Sequence, residues 1–198
     1  MSIFKAFSFS TRPSNQTLFR SGYQKMTQRD YNGAIAEFDR IIEHRPDYEA
    51  LNNRASANFK LNNYPAAIRD YSHAIAINPN IPEAYIGLGV VNTQLENYPE
   101  AEQNYTHVIR LHPSNFIAYT NRGFARFKQE NFEEALHDFN RAIDLNPQNS
   151  VAYYNRGSVY FKMGKPRKAF QDWQTSLKLG FHKAEEMLDR HCTRDQGK

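Results

Sequence analysis

An alanine returns along this chain at a nearly constant interval: Ala34, Ala67, Ala101, Ala135 and Ala169, with gaps of 33, 34, 34 and 34 residues. Four residues after each stands an aromatic ring (Phe38, Tyr71, Tyr105, Phe139, Trp173), and twelve before each a minimal side chain (Gly22, Ala55, Gly89, Gly123, Gly157). Twelve residues after it comes Pro46, Pro79, Pro113 or Pro147, with Phe181 in the fifth place. Such a period means that one supersecondary unit is copied and stacked, because a single unit cannot bury its own apolar face. Each copy holds two helical stretches of about a dozen residues, parted by turn-formers such as Asn62-Asn63 and Glu96-Asn97. Pro65 and Pro99 stand where a second helix begins and a missing N–H costs nothing, whereas Pro79, Pro113 and Pro147 follow its last turn and stop it. A small residue facing the alanine is expected to let the two helices approach closely, with the rings filling the space between units.

Divided at 15–47, 48–81, 82–115, 116–149 and 150–183, the copies align on small at position 8, Ala at 20, aromatic at 24, small or β-branched at 27 and Pro at 32. This pattern resembles the tetratricopeptide repeat. Position 4 departs from it, holding Leu18, Leu51, Tyr85, Tyr119 and Tyr153 where the family has Trp, but the slot asks only for a large packing group. The resemblance implies an all-α fold, a right-handed α-solenoid or superhelix of antiparallel helix pairs. Residues 1–14 fall outside the repeats, and Lys5 and Ser8 interrupt Phe4, Phe7 and Phe9, so no secretory apolar core forms. That acid-free start is expected to be a flexible tail or an apolar strap on the first repeat, with an organellar presequence as the alternative. Residues 184–198 are expected to give a capping helix, with Ala184, Met187 and Leu188 on one side, and then a disordered end.

A 40% hydrophobic and 23% charged composition suits a soluble chain, and no apolar run approaches the roughly 18 residues of a spanning helix. The single cysteine, Cys192, excludes an internal disulfide and suits a reducing, cytoplasmic setting. No nucleophile–base constellation, phosphate loop or metal spacing occurs, so neither catalysis nor a cofactor is expected; His182, His191 and Cys192 make a weak metal set. The other histidines lie mostly toward the ends of second helices, where a cation meets the helix dipole favourably. A net charge of +4 with scattered signs permits acidic peptides or nucleic acid and requires neither.

Positions 2, 6, 9 and 13 of the first helix form one stripe, which in tetratricopeptide arrays lines the concave groove. Position 6 reads Arg20, Asn53, Gly87, Asn121, Asn155, and position 13 reads Thr27, Lys60, Gln94, Lys128, Lys162. Asparagine inside a helix costs roughly half a kcal/mol against alanine, so its return asks for a reason. Its amide matches the N–H and C=O of an extended peptide, in an arrangement that resembles the asparagine ladder of O-linked N-acetylglucosamine transferases. Bonds between neighbouring first helices are the other reading. Lys60, Lys128 and Lys162 would favour an acidic segment, and Phe124, Phe127 and Tyr154 would form apolar sub-pockets. The carboxylate clamp of chaperone adaptors is not reproduced, because position 5 reads Phe19, Asn52, Ile86, Thr120, Tyr154 and lacks its lysine.

Arg54, Arg122 and Arg156 occur in the same repeats as Asp70, Asp138 and Asp172, and Leu88 accompanies Asn104 where the pair is missing. That joint presence predicts structural ion pairs within a repeat. The expected function is a monomeric, non-catalytic interaction module (adaptor, co-chaperone or assembly scaffold) that holds an extended protein segment. An RNA-binding helical repeat is the alternative, drawn from the basic charge and the lysines beside aromatic rings.

Overall fold

A computed structural model describes residues 13–43 and 45–192, and every regular element among them is a helix. The expectations for the N-terminal tail up to residue 12, for His44 and for residues 193–198 lie outside the described residues, as does the Cys192 side chain. Five helix pairs follow in order: α1 (Asn15–Thr27) with α2 (Tyr31–Ile42), α3 (Tyr48–Lys60) with α4 (Tyr64–Ile77), α5 (Pro82–Gln94) with α6 (Tyr98–Leu111), α7 (Phe116–Lys128) with α8 (Phe132–Leu145), and α9 (Ser150–Lys162) with α10 (Pro166–Lys178). A final helix, α11 (Lys183–Cys192), packs on α10. The chain divides into two compact units, α1–α4 and α5–α11.

Local chemistry sets the helix ends. Ser14, Asp47, Asn115 and Asn149 cap α1, α3, α7 and α9, each side-chain oxygen accepting the N–H three residues on. α5 has no such bond at Ile81 and starts instead on Pro82. Every odd helix from α1 to α9 then ends on a residue in the left-handed region: Arg29, Asn62, Glu96, Glu130 and Gly164, with φ of 61°, 59°, 62°, 65° and 70°. The following N–H reaches back five residues in each case, as in Asn97 to the Asn92 oxygen and Asn131 to the Arg126 oxygen, at 2.8 and 2.9 Å. This geometry satisfies the last carbonyls and turns the chain into the partner helix.

Partners within a pair run antiparallel. Phe59 near the end of α3 meets Tyr64 at the start of α4, with ring centroids 5.9 Å apart, and Phe127 meets Phe132 in the same way at 6.1 Å. Where the pairs cross, the small residue at position 8 sits against the ring at position 24 of its own pair. A Cβ on Gly22, Gly89, Gly123 or Gly157 would stand 2.7, 2.7, 2.9 or 2.8 Å from Phe38, Tyr105, Phe139 or Trp173. The ring, more than the expected alanine, is what the glycine admits. The same rings also reach forward: Phe38 clusters with Ala50, Tyr105 with Ala125, and Trp173 with Ala184. Each unit's core is thus a row of buried rings and alanines.

α11 closes the last pair. Ala184 is buried and Met187 and Leu188 are half-buried against the Trp173 cluster, while the His191 ring lies 4.3 Å from Phe161. Glu185, Glu186 and Arg190 are exposed on its other side. No helix among the described residues is long and apolar enough to cross a membrane.

Candidate peptide-binding site

The arginines at position 7 form a scaffold beneath the stripe. Arg156 donates through Nε and Nη2 to both Asp172 oxygens at 2.8 and 2.7 Å, and Arg122 does the same to Asp138 at 2.9 and 2.7 Å. Arg54 holds Asp70 at 2.7 Å through each nitrogen. Such two-pronged, charge-assisted bonds fix the carboxylate plane as well as its distance.

The remaining Nη1 of each arginine reaches the preceding pair: Arg54 to Asp39, Arg122 to Thr106 at 3.1 Å, Arg156 to Asn140 at 2.7 Å. Each guanidinium therefore ties three helices. The reading from the sequence had the pair within the repeat and missed the third partner, whose signal was a polar residue at position 25. Asp138 is fully buried and also takes Arg126 at 2.9 Å. In the first pair, Glu37 occupies the carboxylate's place, with the Ser21 hydroxyl, Lys25 and Arg40 around it. Lys25 above all, with Ser21 and Arg40, holds the Glu37 carboxyl below its ordinary value against the opposing effect of burial.

On the stripe itself, the three asparagines differ. Asn53 donates to the Tyr23 hydroxyl at 3.0 Å and to the Glu49 carbonyl at 2.8 Å, and Tyr23 donates in turn to the Glu49 carboxylate at 2.9 Å. Burial, and then that acceptor, push the Tyr23 phenol up, so it stays a donor. One amide proton of Asn53 thus joins α3 to α1 and the other returns to its own helix, so the three asparagines are not equivalent rungs. Asn121 and Asn155 have no hydrogen-bond partner among the described residues. Asn155 is only 9% exposed, yet its amide is not sealed from solvent. These two lie on α7 and α9, which touch directly in the second unit.

Beside Asn121 a cavity of about 170 Å³ opens between the first turns of α7 and α9, lined by Phe116, Ile117, Thr120, Asn149 and Val151. Ile117 is 47% and Val151 39% exposed. Asn149 closes one wall by donating to the Thr120 hydroxyl at 2.7 Å. The expected sub-pocket rings turn inward instead. Phe124 and Phe127 are half-buried against the α7–α8 core, and Tyr154 packs on Phe181 at 5.0 Å. Exposed apolar surface on this stripe comes from Ile117 and Val151, the second residues of α7 and α9. Lys60, Lys128 and Lys162 are exposed at the opposite helix ends, with the Lys128 ammonium 5.6 Å over the Tyr98 ring. Arg20 is exposed on α1.

A second cavity, of about 390 Å³, lies along α6 and includes Thr106, His107, Arg110 and Gln129. Its polar groups are largely spent on one another: Arg126 and Gln129 hold Glu102, and Arg110 donates to His107 Nδ1 at 2.8 Å. An arginine can only donate, so His107 Nδ1 is the acceptor of this pair.

Residues 48–81 and 150–179 match the tetratricopeptide repeat family, and residues 125–164 match a further profile described as TPR repeat. The chain is a tetratricopeptide repeat protein. A crystal structure of MamA superposes with a TM-score of 0.73 at 22% identity, covering 83% of this chain and 96% of that one. MamA from Desulfovibrio magneticus RS-1 gives 0.76 at 19% identity, with 83% and 94% covered. TTC0263, a thermophilic TPR protein of Thermus thermophilus, gives 0.69 at 20% identity, with 84% and 92% covered. No curated protein matches the chain in sequence. At these identities the likeness is one of fold. Within this tetratricopeptide repeat protein, Leu88 and Asn104 mark a pair with neither the arginine tie nor the carboxylate network of the first pair, and Asn104 bonds its own helix at the Glu100 carbonyl, 2.7 Å away.

Proposed function

We propose that this protein is a non-catalytic interaction module that holds an extended segment of a partner protein along α5, α7 and α9 of the second unit. The observation that carries the reading is the pair of unpartnered amides, Asn121 and Asn155, on the adjacent helices α7 and α9. An unmet amide in a helix is an expense in propensity without return unless a ligand's N–H or C=O completes it. Each completed bond is worth about 1 kcal/mol. Lys128 and Lys162 give the same two helices a positive end, which favours a segment carrying carboxylates. The role is that of an adaptor, co-chaperone or assembly scaffold, acting as a monomer.

The test is a pull-down from source lysate with the full chain, comparing wild type with Asn121→Ala/Asn155→Ala and with Asn53→Ala. Circular dichroism checks that each variant keeps its helicity. The double variant is expected to lose specific partners while Asn53→Ala retains them. A folded double variant that keeps every partner would refute the reading.

A further inference from the structure

We infer that the cavity between the first turns of α7 and α9 is a specificity subsite for one medium-sized apolar side chain of the bound segment, followed about five residues away by a carboxylate. This rests on the peptide-binding reading above and adds which segment is chosen. Ile117 and Val151 are among the most exposed large aliphatic side chains of the protein, at 47% and 39%, and they stand on either side of one opening. The cavity, about 170 Å³, has the volume of roughly five waters. Such a space admits a leucine-sized group.

Its polar wall makes few demands. Thr120 donates to the Phe116 carbonyl at 2.8 Å and accepts from Asn149, whose own oxygen accepts the Ala152 N–H at 3.2 Å. An apolar occupant therefore buries no unmet group on that side. The one polar lining group left over is the Asn121 amide. It stands where a peptide backbone would pass if its side chain entered the cavity.

Charge supplies the second half of the specification. Eleven residues along α7 from Ile117 lies Lys128, and Lys162 holds the same place on α9 relative to Val151. Eleven residues of helix rise roughly 16 Å, which an extended chain spans in about five residues. The ligand that fits both ends is an extended segment with an apolar residue and an Asp or Glu about five positions apart.

A displayed library of random dodecapeptides, selected on the full-length protein, supplies the probe. Enriched peptides are expected to carry that spacing. In fluorescence polarisation, their affinity should fall at least tenfold for Ile117→Asp/Val151→Asp. Replacing the peptide's apolar residue by Ser should cost the same tenfold against wild type and little more against the double variant. Ile117→Ser/Val151→Ser serves if the aspartates perturb the fold. Peptides that bind these variants as tightly as wild type would overturn the subsite. If they then lose binding to Asn121→Ala/Asn155→Ala, the wider reading survives alone, and if no peptide is enriched, both fail. Two other occupants are also tested, each of which overturns the inference. A tenfold tighter peptide affinity in Phe4→Ser/Phe7→Ser/Phe9→Ser would assign the cavity to the chain's own start. Self-association that disappears in Ile117→Asp/Val151→Asp would assign it to a second copy.

Discussion

Arg156 and Arg122 look equivalent but differ in what each leaves behind when removed. Asp172, 6% exposed, has Arg156 as its ion-pair partner, whereas the buried Asp138 keeps Arg126 after Arg122 is lost. Breaking a buried pair strands a charge and costs about 3–5 kcal/mol. Arg156→Leu is therefore expected to destabilise by about 3 kcal/mol in urea unfolding, and Arg122→Leu by clearly less. Equal losses would mean that Arg126 gives Asp138 no support. Glu37 makes a pH-dependent counterpart. Its carboxyl is held below its ordinary value of 4.5, chiefly by Lys25. A depressed carboxyl contributes stability above its unfolded pKa and loses it as pH falls through the folded one. The wild type should lose stability as the pH drops below about 4.5, and Glu37→Gln should flatten that part of the curve while lowering stability at pH 7.

At the scale of the element, turns and crossings carry the predictions. Glu130 ends α7 at a φ of 65°, a region where a Cβ crowds the backbone, while Gly164 meets the same demand in the next pair without one. Glu130→Gly is expected to stabilise by about 0.5–1 kcal/mol and Gly164→Ala to destabilise by about 1 kcal/mol, both read from urea midpoints. The crossing of α9 and α10 favours glycine for a different reason, close approach. A Cβ on Gly157 would meet Trp173 at 2.8 Å and the Ala169 carbonyl at 3.0 Å, and the Trp173 indole is pinned by its bond to the Tyr154 carbonyl. Overpacking of about 1–3 kcal/mol outweighs the propensity gain of about 1 kcal/mol, so Gly157→Ala should lower stability. In the second pair, Ala55 holds the same repeat position and is buried, as is Tyr71. The turn rule was partly legible in advance: Asn62-Asn63 and Glu96-Asn97 announce a turn, but a glutamate in left-handed geometry carries no local signal. Register copied from the other repeats places it there.

Over the whole molecule, helices touch mainly their chain neighbours within each unit, so stability is a sum of local interfaces. Among the described residues, α1 and α11 each pack on one chain neighbour, and α8 is held between α7 and α9. Native-state hydrogen exchange should give α1 and α11 markedly lower protection than α8. Uniform protection along the chain would mean that the units open only as a whole.

The period alone determined the repeat, the helix pairs and the buried place of the alanines at position 20 and the rings at position 24, because a short copied unit has one way to bury its apolar face. Joint occurrence of Arg and Asp likewise identified the ion pairs. Tertiary structure decided which asparagine is free. Asn53, Asn121 and Asn155 hold the same repeat position, but only Asn53 has a tyrosine hydroxyl within reach. It also decided that Phe124, Phe127 and Tyr154 serve the core while Ile117 and Val151 face the solvent. A residue's repeat position sets its direction. Whether its hydrogen bonds are already made, or its surface already covered, depends on side chains a full repeat away.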